Sequence, residues 1–141
     1  MLLLGMSILS SCEKSEPTTN WLQGIWCLTC YDDYKTGEPI DSSDRIDEYF
    51  EFSSNFISLY TLNHSYNSYA LFRDGVLTTP QDGYWEKSIE AKYSIEEGKI
   101  MISDIVVGSI TKLSKDKVEI KNTGDWINYY AGIYERAKQL K

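Results

Sequence analysis

Residues 84–95, YWEKSIEAKYSI, decide the fold class. Trp85, Lys87, Ile89, Ala91, Tyr93 and Ile95 occupy one parity, and Tyr84, Glu86, Ser88, Glu90, Lys92 and Ser94 the other. A largely apolar set against a largely polar one at period two predicts a β-strand with one buried face. Outward from it the pattern repeats in KVEIK (117–121, with Val118 and Ile120) and KIMIS (99–103, with Ile100 and Ile102). Further strands are expected at 21–31, 45–53, 56–62, 66–73, 108–114 and 126–136. Glu97-Gly98, the run Asn122-Thr123-Gly124-Asp125 and the polar SKDK (114–117) supply reverse turns between them. Connections this short permit antiparallel neighbours only, because a parallel pair needs a long crossover. Only the tail YERAKQLK hints at helical spacing. The expected architecture is all-β: roughly eight or nine strands in an antiparallel up-and-down β-barrel, with a two-sheet sandwich as its rival.

A chain of 141 residues suits one domain with a single core. Eleven tyrosines and an aromatic share of 13% favour strands, on whose pleated surface rings pack well. The formal charge is 14 − 21 = −7 without a basic run, which argues against nucleic acid as a partner. An anionic bilayer would repel such a body, so membrane association requires an anchor.

The leader offers one. Residues 1–11, MLLLGMSILSS, form an apolar run too short to span a bilayer, which takes roughly 20 apolar residues. Small residues follow it, as in an export signal. Leu9, Ser10, Ser11 and Cys12 resemble the bacterial lipobox. The resemblance implies removal of residues 1–11 and acylation of Cys12, with 12–20 as a polar tether and 21–141 as the barrel domain. Two or three acyl chains, at about 0.8 kcal/mol per buried methylene, make a durable anchor. Glu13 and Glu16 just after the cysteine resemble a surface-export tag.

Past the tether, NWLQGIWCLT holds Gly24-x-Trp26 on the first strand, and GIYERA places Arg136 on the last. This pairing resembles the lipocalin (calycin) pattern, and with the lipobox it looks like the small lipocalin-like lipoproteins of Bacteroidetes. The resemblance implies that Gly24, Trp26 and Arg136 close the barrel floor. There a guanidinium over the indole gains roughly 0.5–2 kcal/mol.

Catalytic chemistry is sparse. Cys27 and Cys30 spell C-x-x-C on a strand, where i and i+3 face opposite sides roughly 10 Å apart, so two packed thiols are expected. His64, the sole histidine, lies in the polar stretch LNHSYNSY and reads as a solvated loop residue. Asp47 and Glu51 would share a strand face, which permits a paired-carboxylate glycosidase, but an acidic solvent face explains them more simply. No catalytic residue, metal site or cofactor is expected. His64, Tyr66 and Tyr69 are the candidates for ligand or partner contact. The expected function is a non-enzymatic, outer-membrane-anchored binding module of the cell envelope, periplasmic or surface-exposed, for a small apolar or aromatic ligand. The alternative is a filled barrel that docks a partner envelope protein.

Overall fold

The computed structural model describes residues 20–32, 36, 39–41, 44–65, 68–122 and 131–141. The strands are β1 (Gly24–Asp32), β2 (Pro39–Asp41), β3 (Arg45–Ile46), β4 (Glu48–Phe52), β5 (Phe56–Asn63), β6 (Ala70–Arg73) and β7 (Val76–Thr78). They continue as β8 (Tyr84–Lys92), β9 (Ser94–Glu96), β10 (Lys99–Ile102), β11 (Ile105–Ser114), β12 (Lys117–Asn122), β13 (Gly132–Ala137) and β14 (Gln139–Leu140).

The main sheet runs β8-β5-β4-β1-β13-β12-β11-β10-β9, antiparallel throughout, with β2 added beside β1. Its two ends, β8 and β9, are one nearly continuous run of chain interrupted only at Tyr93. The opening stretch is thus the stave on which the sheet curls back toward itself. It pairs with β5 through residues 84–92 and with β10 through 94–96. The Tyr93 amide donates to Asn55 O (3.0 Å) and its hydroxyl to Ser53 O (2.7 Å), pinning the bend. Counted with β8 and β9 as one stave, the result is a nearly closed up-and-down β-barrel of eight, as the alternation predicts. The first and last long strands, β1 and β13, close it side by side.

Inside the barrel lie Leu22, Trp26, Phe52, Tyr93, Ile100, Ile110, Val118, Ile120 and Tyr134, all buried, with Leu28, Phe50 and Ile57 packed on them. A second core lies on the outer face of β1, β4, β5 and β8. There Cys27, Tyr49 and Leu62, with Ile25, Tyr60 and Trp85, meet Ile46, Ala70, Phe72 and Leu77. These last four come from a small second sheet, ordered β14-β7-β6-β3. A single apolar face per strand is therefore corrected for β1 and β4, which are apolar on both sides and covered on both. The second sheet also holds a parallel pair, β7 with β14. Its partners are some sixty residues apart in sequence, so no tight turn constrains them.

Two β-bulges correct the assignment of faces. Tyr60 pairs with Lys87 but Leu59 with Ile89, so Ser88 is an extra residue. Trp85 and Lys87 therefore face outward, while Ile89, Ala91, Tyr93 and Ile95 keep the inward phase. The expected single face of the opening stretch is two half-faces. On β1, Leu28 pairs with Tyr134 and Cys30 with Ile133, leaving Thr29 as the extra residue. Cys27 opposite Glu135 and Cys30 opposite Ile133 thus occupy positions of one face, not two, and neither is in a disulfide.

Several boundaries also differ. Residues 20–23 form a turn, closed by the Gln23 amide on Asn20 O (3.3 Å), rather than the start of the strand. Of the expected strands 66–73 and 126–136, the described residues include β6 at Ala70–Arg73 and β13 at Gly132–Ala137, while positions 66–67 and 126–130 lie outside the described residues. The tail is strand, not helix, because β13 continues into β14. The leader and tether lie outside the described residues. Glu97 and Gly98 (φ 54° and 75°) form the expected turn between β9 and β10.

Burial, and next to it the charge of Glu135, push the Cys27 thiol up to about 12, so no appreciable thiolate forms at neutral pH. Iodoacetamide at pH 8 should therefore leave Cys27 unmodified in the native protein and label it fully in urea. Peptide mass spectrometry that finds Cys27 alkylated without denaturant would contradict this packing.

Candidate functional site

The two ends of the barrel differ in chemistry. At the floor, Trp26 on β1 pairs directly with Arg136 on β13, and the guanidinium lies 4.4 Å from the ring centroid. The indole is fully buried and donates its N–H to Leu22 O at 2.7 Å. Arg136 Nη1 donates to Gln23 O and Nη2 to Trp21 O. Its Nε meets Asp116 Oδ1 at 3.1 Å, and Lys138 takes the other Asp116 oxygen at 3.1 Å. Gly24 has φ +129°, and a Cβ there would stand 2.9 Å from Arg136 Nη1. Glycine is thus required both by the backbone and by the room the guanidinium needs. Gly24, Trp26 and Arg136 come together as a plug, and the turn at 20–23 is stitched beneath it. The Asp116 carboxyl is held below the usual carboxylate range, first by Lys138 and then by Arg136.

At the opposite end the inner wall changes character. Along β4 the inward parity reads Phe52, Phe50, Glu48; along β5 it reads Ile57, Leu59, Thr61, Asn63. On β8 it reads Ala91, Ile89 and then, past the bulge, Glu86 and Tyr84. The three neighbouring strands thus turn from apolar to polar together. The Thr61 hydroxyl is 3.4 Å from Glu48 Oε2 and 3.0 Å from Ser88 Oγ, and Asn63 Nδ2 donates to Tyr84 OH at 2.9 Å. A cleft of about 600 Å³ opens here, lined by Thr61, Leu62, Asn63, His64, Glu86, Lys87 and Ser88.

Of the predicted contact residues, His64 lines this cleft. Tyr69 does not; it is exposed on the second-sheet side, with the Arg45 guanidinium 4.1 Å over its ring. Tyr66 and Cys12 lie outside the described residues. His64 Nδ1 sits 2.7 Å from Ser65 O, and a carbonyl only accepts, so Nδ1 carries the proton. That nitrogen therefore cannot accept from Ser68 Oγ, 3.5 Å away. Asp82, moreover, accepts from Ser65 and not from the imidazole. The loop lacks the acid–histidine–hydroxyl order of a triad. The Asp82 carboxyl is lowered by its hydrogen bonds from Ser65 and then Ser68. Asp47 is exposed in the bend between β3 and β4, and Glu51 is on the outer face of β4. Among the described residues no group of three or more His, Cys, Asp or Glu could hold a metal ion.

Sequence reasoning missed Glu48, Thr61, Asn63, Tyr84, Glu86 and Ser88. The signal was present in EYFEF and FISLYTLN, where one parity passes from aromatic or aliphatic to polar within a single strand. No protein-family model, curated protein or solved structure matches the chain.

Arg136→Ala should lower unfolding stability by about 2–4 kcal/mol, since two buried-end carbonyls lose a charged donor and the indole loses its cation. Arg136→Lys should recover less than half of that in urea titrations, because an ammonium lacks the planar fork. The depressed Asp116 pKa contributes stability above the ordinary carboxylate range that is lost as pH falls through its folded value. The stability gap between wild type and Asp116→Asn should thus narrow between about pH 5 and pH 2. A gap constant with pH would remove Asp116 from the clasp.

Proposed function

We propose that this chain is a cell-envelope lipoprotein, anchored through acylated Cys12, whose barrel is a small-molecule binding module with a sealed floor and a working mouth. The polar inner wall at the mouth, beside a cleft of about 600 Å³, carries this reading. Its volume falls within the usual range of ligand sites, roughly 300–1,000 Å³. Polar side chains on the inward face of a barrel need hydrogen-bonding company, which water or a ligand supplies. The floor supports the same reading from the other side, since the Trp26 plug leaves that end without an entrance. The turn at 20–23 joins the barrel at the floor, so a tether leaving from there directs the mouth away from the bilayer.

A second reading, a docking module for a partner envelope protein, draws on three exposed apolar side chains. Tyr84 and Ile89 on the end strand β8 are 58% and 53% exposed, and Ile105 at the start of β11 is 64% exposed.

Two measurements test the proposal. Growth with an alkyne fatty acid should tag the protein, and Cys12→Ala should abolish the tag; a tagged variant would refute the anchor. Native mass spectrometry of protein isolated from its own cells should detect a bound small molecule that is lost on unfolding. Recovery of a stoichiometric protein partner and no small molecule would favour the docking reading instead.

A further inference from the structure

The inner wall narrows the ligand class, on the premise that the mouth is a binding site. We infer that the mouth takes a neutral saccharide, held against the inward side chains of β4, β5 and β8. The wall offers the Glu86 carboxylate, hydroxyls at Thr61 and Ser88 and the amide of Asn63, with Glu48 accepting from Thr61 behind them. Carboxylates accept hydrogen bonds and do not donate them, so the ligand must bring donors of its own, as sugar hydroxyls do.

Charge weighs against the rival chemistries. Among the described inward residues of these three strands there is no Lys or Arg, while Glu48 and Glu86 are both acidic. Lys87, which also lines the cleft, is already held by Glu90 at 2.7 Å, so a phosphate, a uronic acid or a fatty-acid carboxylate would have to compete with that pair while facing the Glu86 carboxylate. A long aliphatic chain would have to lie along hydroxyls and carboxylates, and the apolar floor beneath is already filled by Trp26, Phe52, Tyr93 and Tyr134.

The third component is an aromatic face. Tyr84 is exposed, and its hydroxyl is fixed by Asn63, so the ring stands at the rim in a set orientation. Ile89 continues that apolar surface along the same strand. A pyranose presents C–H groups on one side and hydroxyls around its edge. A fixed ring beside a row of acceptors matches both.

The test uses the full-length chain in detergent, titrated with maltotriose, cellotriose, chitotriose and galactobiose by saturation-transfer NMR and calorimetry. At least one saccharide should bind in the millimolar range or tighter. Tyr84→Ala and Thr61→Val should each weaken it by about tenfold, the effect of one lost ring or hydrogen-bond contact. Tyr84 is exposed, so its variant is expected to fold, and an unchanged urea midpoint checks this. The inference is overturned if no saccharide binds at about 10 mM, weaker than any specific site needs. Binding unchanged in Tyr84→Ala overturns it too, as does preference for palmitate or choline over every saccharide. If saccharides fail while native mass spectrometry still finds a small molecule, the binding-module reading stands and only the ligand class falls.

Discussion

The guanidinium of Arg136 lies across Trp26 and donates to the carbonyls of Trp21 and Gln23, and the rest of the architecture depends on that contact. It joins three things that would otherwise be separate: the entering turn, the first strand and the last. A buried indole alone would fill the floor, but it would not orient the chain that precedes it. Two main-chain acceptors at the barrel end would be left to water. Aspartate 116 completes the arrangement from the β11–β12 turn, so the cation is balanced where it is least hydrated.

Sealing one end shapes what the other can be. Apolar volume is concentrated where Trp26, Phe52 and Tyr134 meet, and a second layer of apolar contact lies outside β1 and β4 under the small sheet. Strands covered on both sides are held rigidly. They present Glu48, Thr61 and their neighbours at defined positions, whereas a loop would leave them to wander. The polar end of the inner wall is thus carried on paired strands and not on loops.

How far this was legible in the sequence varies by element. Period-two alternation marked β8, β9, β10 and β12, and the pairing of Gly24-x-Trp26 with Arg136 followed from a family pattern. The bulges at Thr29 and Ser88 were not legible, because a bulge is a relation between two strands and neither sequence alone records it. The second sheet escaped notice for another reason. Its pieces, such as Arg45–Ile46 and Gln139–Leu140, are too short to establish any period. The polar mouth was visible in principle, yet reading each strand as a whole, rather than end by end, conceals a change of character halfway along it.

Closure between β1 and the distant β13 also bears on how the molecule comes to exist. The contacts from Arg136 to Gln23 and Trp21 span 113 and 115 positions. Bringing segments that distant together carries an entropic cost of roughly 4 kcal/mol from loop length alone. Such remote pairings make for slow folding. Until Gly132–Ala137 arrives, β1 has a bare hydrogen-bonding edge and two greasy faces, the features through which growing chains aggregate. A nascent chain of this kind is safest unfolded until β13 is delivered, so assembly waits on that one strand.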